Sequence, residues 1–175
     1  TGVTVTFGQM TAEEKQKIFG NGAAPQLPKL AAFNKIGQVI AVMSGNRIAR
    51  FDTKTKTFKE WDLPDGARPH GLLVDAEGIV WYTGNGTIGR LDPKSGAVTS
   101  HRAPSGGDPH TLVMDDKGII WFTVQNGQRI GRLDRATGKV TEYPTSGNPY
   151  GLAIDKSGAV WFCRLAEESL GRLDP

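Results

Sequence analysis

This 175-residue chain has a single cysteine, Cys163, so no disulfide can form within it. Cysteine usage therefore leaves the compartment open, cytoplasmic or exported. Long hydrophobic runs are missing too. Apolar stretches stop at about five residues, whereas a membrane-spanning helix needs about 20. A soluble bacterial protein with no membrane partner is expected. Charge of one sign is not in surplus: 21 Lys and Arg face 18 Asp and Glu, for a net charge of +3. The basic residues are scattered, which argues against nucleic acid as a partner. Thr1 opens the chain with no initiator Met and no signal-like segment. That fits a mature exported chain, a trimmed chain or a fragment.

What the chain has is glycine, 23 of them, together with 10 prolines, and it has repetition. Pro69-His70-Gly71-Leu72, Pro109-His110-Thr111-Leu112 and Pro149-Tyr150-Gly151-Leu152 recur every 40 residues. Each is followed by a glycine (Gly78, Gly118, Gly158) and then by an aromatic pair: Trp81-Tyr82, Trp121-Phe122, Trp161-Phe162. Gly89-Arg90-Leu91-Asp92, Gly131-Arg132-Leu133-Asp134 and Gly171-Arg172-Leu173-Asp174 close the units. A degraded earlier copy runs through Pro28, Gly37, Ile40 and Ala49-Arg50-Phe51-Asp52. Each unit reads as four strands joined by turn chemistry, for example "GLLVD", "GIVWYT", "TIGRLD" and "GAVTSHRA". A period of about 41 with four strands is a β-propeller blade. The fold expected is all-β: one propeller domain over 1–175, with blades at 24–66, 67–107, 108–147 and 148–175.

The last unit stops before a fourth strand. The opening "TGVTVTF" matches what is missing, so residues 3–7 can close the last blade and the ring, which removes exposed strand edges. A piece of a larger ring and a ring built from two chains are the alternatives. Thr11 with Glu14 forms a capping box and Gly20 suits a helix end, so a short helix is expected at 12–19. Residues 1–23 then hold the closing strand and this helix.

Function is expected where first strands begin, around the mouth of the central channel. Lys29, His70, His110 and Tyr150 occupy one equivalent position, and Arg68 and Asp108 lie two residues before it. Gln125 and Arg164 come from turns on the same rim. Polar groups converging on a channel mouth form the default binding site. His70 and His110 come from adjacent blades, so their side chains can approach; imidazole serves as metal ligand or as base. Both also fit a plain role as histidines that cap turns. His101, in an outer strand, is expected to be solvated, and Cys163 to be a small packed residue rather than a nucleophile.

Units of the form P-H-G-L-x-x-D-x-x-G-x-x-W-F-T … I-G-R-L-D-P resemble the streptogramin lyase family, that of virginiamycin B lyase, over residues 24–175. The resemblance implies a propeller of seven blades, where four are legible here. It implies elimination across the ester of a cyclic depsipeptide, with Mg²⁺ at the rim. His70 matches the family's metal-binding histidine. Asp108-Pro109-His110 matches its Glu-Pro-His, which makes Asp108 a metal ligand and His110 the general base. A further metal-binding Glu falls on Val124, which weakens the implied Mg²⁺ site, and Gln125 beside it points to the other face of a regular strand. Gly71 is kept, and Thr111 replaces the glycine after the second histidine. Two functions are weighed: a metal-dependent C–O lyase acting on a small or macrocyclic ester, and a non-catalytic propeller that binds a ligand or self-associates as a homo-oligomer.

Overall fold

A computed structural model describes residues 31–34, 37–42, 45–52, 54–165 and 167–175. The expected strand at 3–7, the helix at 12–19 and Lys29 lie outside the described residues.

Four antiparallel sheets follow one another along the chain in a blade-type arrangement. The first holds β1 (Ala31–Asn34), β2 (Gly37–Val42), β3 (Arg47–Asp52) and β4 (Thr57–Asp62). The second holds β5 (Leu72–Val74), β6 (Val80–Gly84), β7 (Thr87–Leu91) and β8 (Val98–Arg102). The third holds β9 (Pro109–Met114), β10 (Ile119–Val124), β11 (Arg129–Asp134) and β12 (Val140–Pro144). The last has three strands, β13 (Pro149–Ile154), β14 (Val160–Arg164) and β15 (Ser169–Leu173). The innermost strands pack in sequence, β1 on β5, β5 on β9 and β9 on β13.

The repeated residues each have a physical task. Successive side chains on a strand point to opposite faces. The aromatic pair therefore serves both neighbouring sheets. Trp81 packs with Leu112, Ile120 and Phe122 of the sheet that follows, and Trp121 packs with Val160 and Phe162 of the next. Tyr82 packs backwards, with Ile48 and Trp61 of the first sheet; its burial pushes its phenol pKa up. Across the sheet, Tyr82, Phe122 and Phe162 stand opposite Gly89, Gly131 and Gly171. A Cβ on any of these glycines would enter the space of the facing ring. The Gly-Arg step is thus a cross-strand pair: glycine leaves room for one ring, and Arg90 and Arg172 lie over Trp81 and Trp161.

The aspartates close turns. Asp75 Oδ1 accepts the Ile79 N–H at 2.8 Å while Oδ2 accepts the Trp81 indole N–H at 2.8 Å. Asp115 does the same for Ile119 and Trp121, and Asp155 for Ala159 and Trp161. Hydrogen bonds from Ser157 and then Trp161 hold the Asp155 carboxyl well below the usual carboxylate range. Asp52 and Asp92 are lowered as well, first by the turn N–H of Thr55 and of Lys94 respectively. Among the described residues, no helix is long and apolar enough to cross a membrane.

Candidate functional site

The rim where first strands begin gathers three rings. The His70 and His110 centroids are 3.9 Å apart, and the His110 and Tyr150 centroids are 4.2 Å apart. Their planes are tilted by 45° and 40°. Three consecutive sheets thus contribute one ring each to a continuous row. His70 and His110 are half-buried, and Tyr150 is exposed.

A bulge aims these rings. On β9, Pro109 pairs with Val124 and Leu112 with Phe122, so three steps on one strand match two on the other. His110 and Thr111 form the irregular step. Tyr150 and Gly151 repeat it on β13. Ahead of β5, Thr83 takes the His70 N–H at 2.8 Å on its carbonyl and gives its own N–H to Gly71 O at 3.0 Å. Bulges bend a strand and re-aim its side chains.

In the second and third sheets a buried threonine holds this irregular step and ties it to the next sheet. Thr83 Oγ1 accepts the Gly71 N–H at 2.8 Å and donates to the His110 carbonyl at 2.7 Å. Thr123 Oγ1 accepts the Thr111 N–H at 3.1 Å and donates to the Tyr150 carbonyl at 2.9 Å. Both threonines are fully buried. Sequence reasoning did not single them out, although the Thr after Trp-Tyr and Trp-Phe was a visible signal. Cys163 takes the third such position: it is half-buried and its Sγ accepts the Gly151 N–H at 3.1 Å. Gly71 is required by this close approach, because a Cβ there would crowd the His110 carbonyl. Thr111 adds a contact of its own, Oγ1 to His110 Nδ1 at 3.2 Å.

Arg68, His70, Asn85 and Asp108 line one cleft of about 320 Å³. Asp108 and Arg68 are exposed at its edge. Arg68 has a φ of 45°, and its N–H is held by Asn46 Oδ1 at 2.8 Å. Gln125 is half-buried in the turn after β10. Val124 is fully buried in the apolar cluster with Trp81 and Leu133. Arg164 is committed locally: it donates to Ser146 Oγ at 2.8 Å, to Glu167 at 2.7 Å and to Leu170 O at 2.9 Å. His101, expected to be solvated, is half-buried on β8 and stacks on Trp81 at 6.2 Å, because the indole face on that side needs cover. Among the described residues no three His, Cys, Asp or Glu side chains converge as a metal cage.

Blade-like sheets packed in series, with a row of rings on one rim, define a protein of the β-propeller class. The chain belongs to the virginiamycin B lyase family, whose model matches residues 8–175. Three solved structures are similar. A streptogramin B lyase is 28% identical with a TM-score of 0.75, over 83% of this chain and 51% of that one. Virginiamycin B lyase from Staphylococcus aureus is 26% identical with a TM-score of 0.70, over 78% of this chain and 48% of that one. A catalytically inactive histidine-to-alanine variant of the Staphylococcus aureus enzyme, with quinupristin, is 24% identical over 85% of this chain and 54% of that one, with a TM-score of 0.72. The chain therefore spans about half the length of the structures it matches. No curated protein is significantly similar to it.

Proposed function

We propose that the chain carries the base-bearing part of a C–O lyase that acts on a cyclic or small ester. The observation that carries this reading is the His70–His110 pair, with ring centroids 3.9 Å apart, His70 lining one cleft with Asp108. Membership in the lyase family supports it. His110 is the base. Thr111 Oγ1, 3.2 Å from His110 Nδ1, helps to orient the ring. The proton leaves the carbon next to a carbonyl, the C–O bond one carbon further on breaks, and the carboxylate departs, leaving an alkene. No water is consumed. A positioned base of this kind is worth about 10²–10⁴-fold.

His70 and Asp108 would hold Mg²⁺, an arrangement of one carboxylate and one imidazole that fits a weak, largely hydrated site. When bound, the cation would stabilise the negative charge that develops in the elimination and so ease departure of the carboxylate. Val124 contributes nothing to it, since its side chain lies in the apolar core. Arg68, at the cleft edge, and Tyr150, at the exposed end of the row, would contact the ligand.

The test is incubation with a cyclic depsipeptide streptogramin such as quinupristin, followed by mass spectrometry. Elimination opens the ring with no change in mass, whereas hydrolysis adds one water. His110→Ala is expected to lower turnover about 10²–10⁴-fold; turnover retained within threefold overturns the assignment.

A second reading, a module completed by self-association, is favoured by a different observation. Trp161 and Leu170 are 38% and 65% exposed, while Trp81, Trp121, Ile88 and Ile130 at the same repeat positions are at most 3% exposed. The face that earlier sheets bury against a following sheet is open on the last one.

A further inference from the structure

The rim opposite the ring row carries a second candidate site, between the third and last sheets. The preceding junction shows what such a place can hold. Arg135, from the turn after β11, reaches back to the second sheet. Its Nη1 donates to Asp75 Oδ2 at 2.8 Å, and its Nε donates to Gly118 O at 2.8 Å. The Asp75 side chain is only 2% exposed and also pairs with the Trp81 indole. The guanidinium lies directly over the α-carbon of Gly118, where a Cβ would strike it.

One repeat on, the aspartate and the glycine of this cradle recur and the arginine does not. Asp115 holds Ile119 N–H and the Trp121 indole as Asp75 holds theirs. Gly158 stands where Gly118 stands, and among the described residues nothing lies within 4 Å of its missing Cβ. Pro175 takes the place of Arg135. What remains is a cleft of about 770 Å³ lined by Asp115, Trp121, Tyr143, Asp155, Gly158 and Pro175 among others. Beside it Ala76-Glu77 becomes Asp116-Lys117: the second carboxylate that meets Arg135, Glu77 at 3.5 Å, gives way to a lysine, and a carboxylate stands one residue earlier.

We infer that this cleft is a guanidinium-binding site, with Asp115 Oδ2 as charged acceptor, the Gly158 carbonyl as second acceptor and Trp121 and Tyr143 as an apolar wall. A planar fork of donors matches a carboxylate and a carbonyl together, which an ammonium does not. The group can come from a small guanidine compound or from an arginine of a peptide. This site does not rest on the lyase reading and shares no residue with it.

The test follows the Trp121 indole N–H in ¹⁵N-correlated NMR spectra of the whole chain during titration. The probes are agmatine, an acetyl-Gly-Arg-Gly-amide peptide and, as ammonium control, cadaverine. A saturable shift with agmatine, the peptide or both supports the site, and which of the two acts identifies the source. No saturable shift with either, or an equal response to cadaverine, overturns it. Asp115→Asn is expected to abolish the shift, and a shift that persists overturns the assignment. Because Asp115 also closes its turn, Pro175→Arg provides an independent check. It should restore the Arg135 contact, block the probes and raise Tm by about 2–4 °C; unchanged probe binding in Pro175→Arg overturns the proposal.

Discussion

Replacing Thr83 by Val changes one hydroxyl into a methyl at nearly constant volume. The side chain is fully buried, so the packing of the second and third sheets is kept and the loss is purely polar. Two hydrogen bonds go: Gly71 N–H to Oγ1 at 2.8 Å, and Oγ1–H to His110 O at 2.7 Å. The Gly71 N–H and His110 C=O are then left beside a methyl group. Each bond contributes roughly 0.5–1.5 kcal/mol net, and a buried unsatisfied group costs about 1–3 kcal/mol. Because the two losses overlap, a destabilisation of about 2–4 kcal/mol is expected. Urea unfolding should report it as a lower midpoint at unchanged m, and thermal unfolding as a Tm lower by about 5–15 °C. Thr87→Val is the control, since its hydroxyl makes one half-buried bond, to Gly84 O at 2.8 Å. It should lose less than about 1 kcal/mol. The Thr83 change should also disturb the ring row, because the bond it removes ends on His110. A loss below about 0.5 kcal/mol, or one no greater than in Thr87→Val, would refute the claim that this hydroxyl couples the two sheets.

Two further outcomes can be measured. If the open face of the last sheet self-associates, light scattering should show an oligomer that Leu170→Glu converts to a monomer, because a charge at this 65%-exposed position would be buried on assembly. A monomeric parent at micromolar concentration removes that reading. The depressed carboxyls of Asp52, Asp92 and Asp155 set an acid limit. Their folded pKa values lie below the unfolded value of about 3.9, so their contribution is complete above about pH 5 and lost as pH falls through the folded values. Tm should therefore drop below about pH 4, and less steeply in Asp92→Asn; equal slopes would remove Asp92 from the account.

The ring row and the half-length match bear on each other. His110 and Tyr150 are each held by the sheet that precedes them, since Thr83 acts on His110 and Thr123 on Tyr150. Tyr150 is the last ring described, and Cys163 ends the series of side chains that hold the bulges. A following sheet, wherever it comes from, would extend this row and cover Trp161. Burying such large apolar side chains contributes about 1.5–3 kcal/mol each, so assembly and the shape of the rim are linked.

Much was legible in the sequence because repeats repeat their physics. The spacing of Asp, Gly, Trp and Gly-Arg fixed the strand order, the turns and the alternation of inward faces, all of which depend on residues near one another in the chain. It also placed His70, His110 and Tyr150 at one equivalent position, so their meeting could be expected. Other features depend on contacts 27 to 60 residues apart, and only the tertiary structure decided them. A bulge inserts one residue into a pairing that is read as regular, so the aim of His110 and the role of Thr83 could not be seen. His101 looks solvated until Trp81 is placed beside it. Arg135 and Pro175 are both ordinary turn residues in the sequence. That one fills a cleft and the other leaves it open follows from where the neighbouring sheet puts Asp75 and Asp115, because a pair of charges is an interaction only at the distance that folding sets.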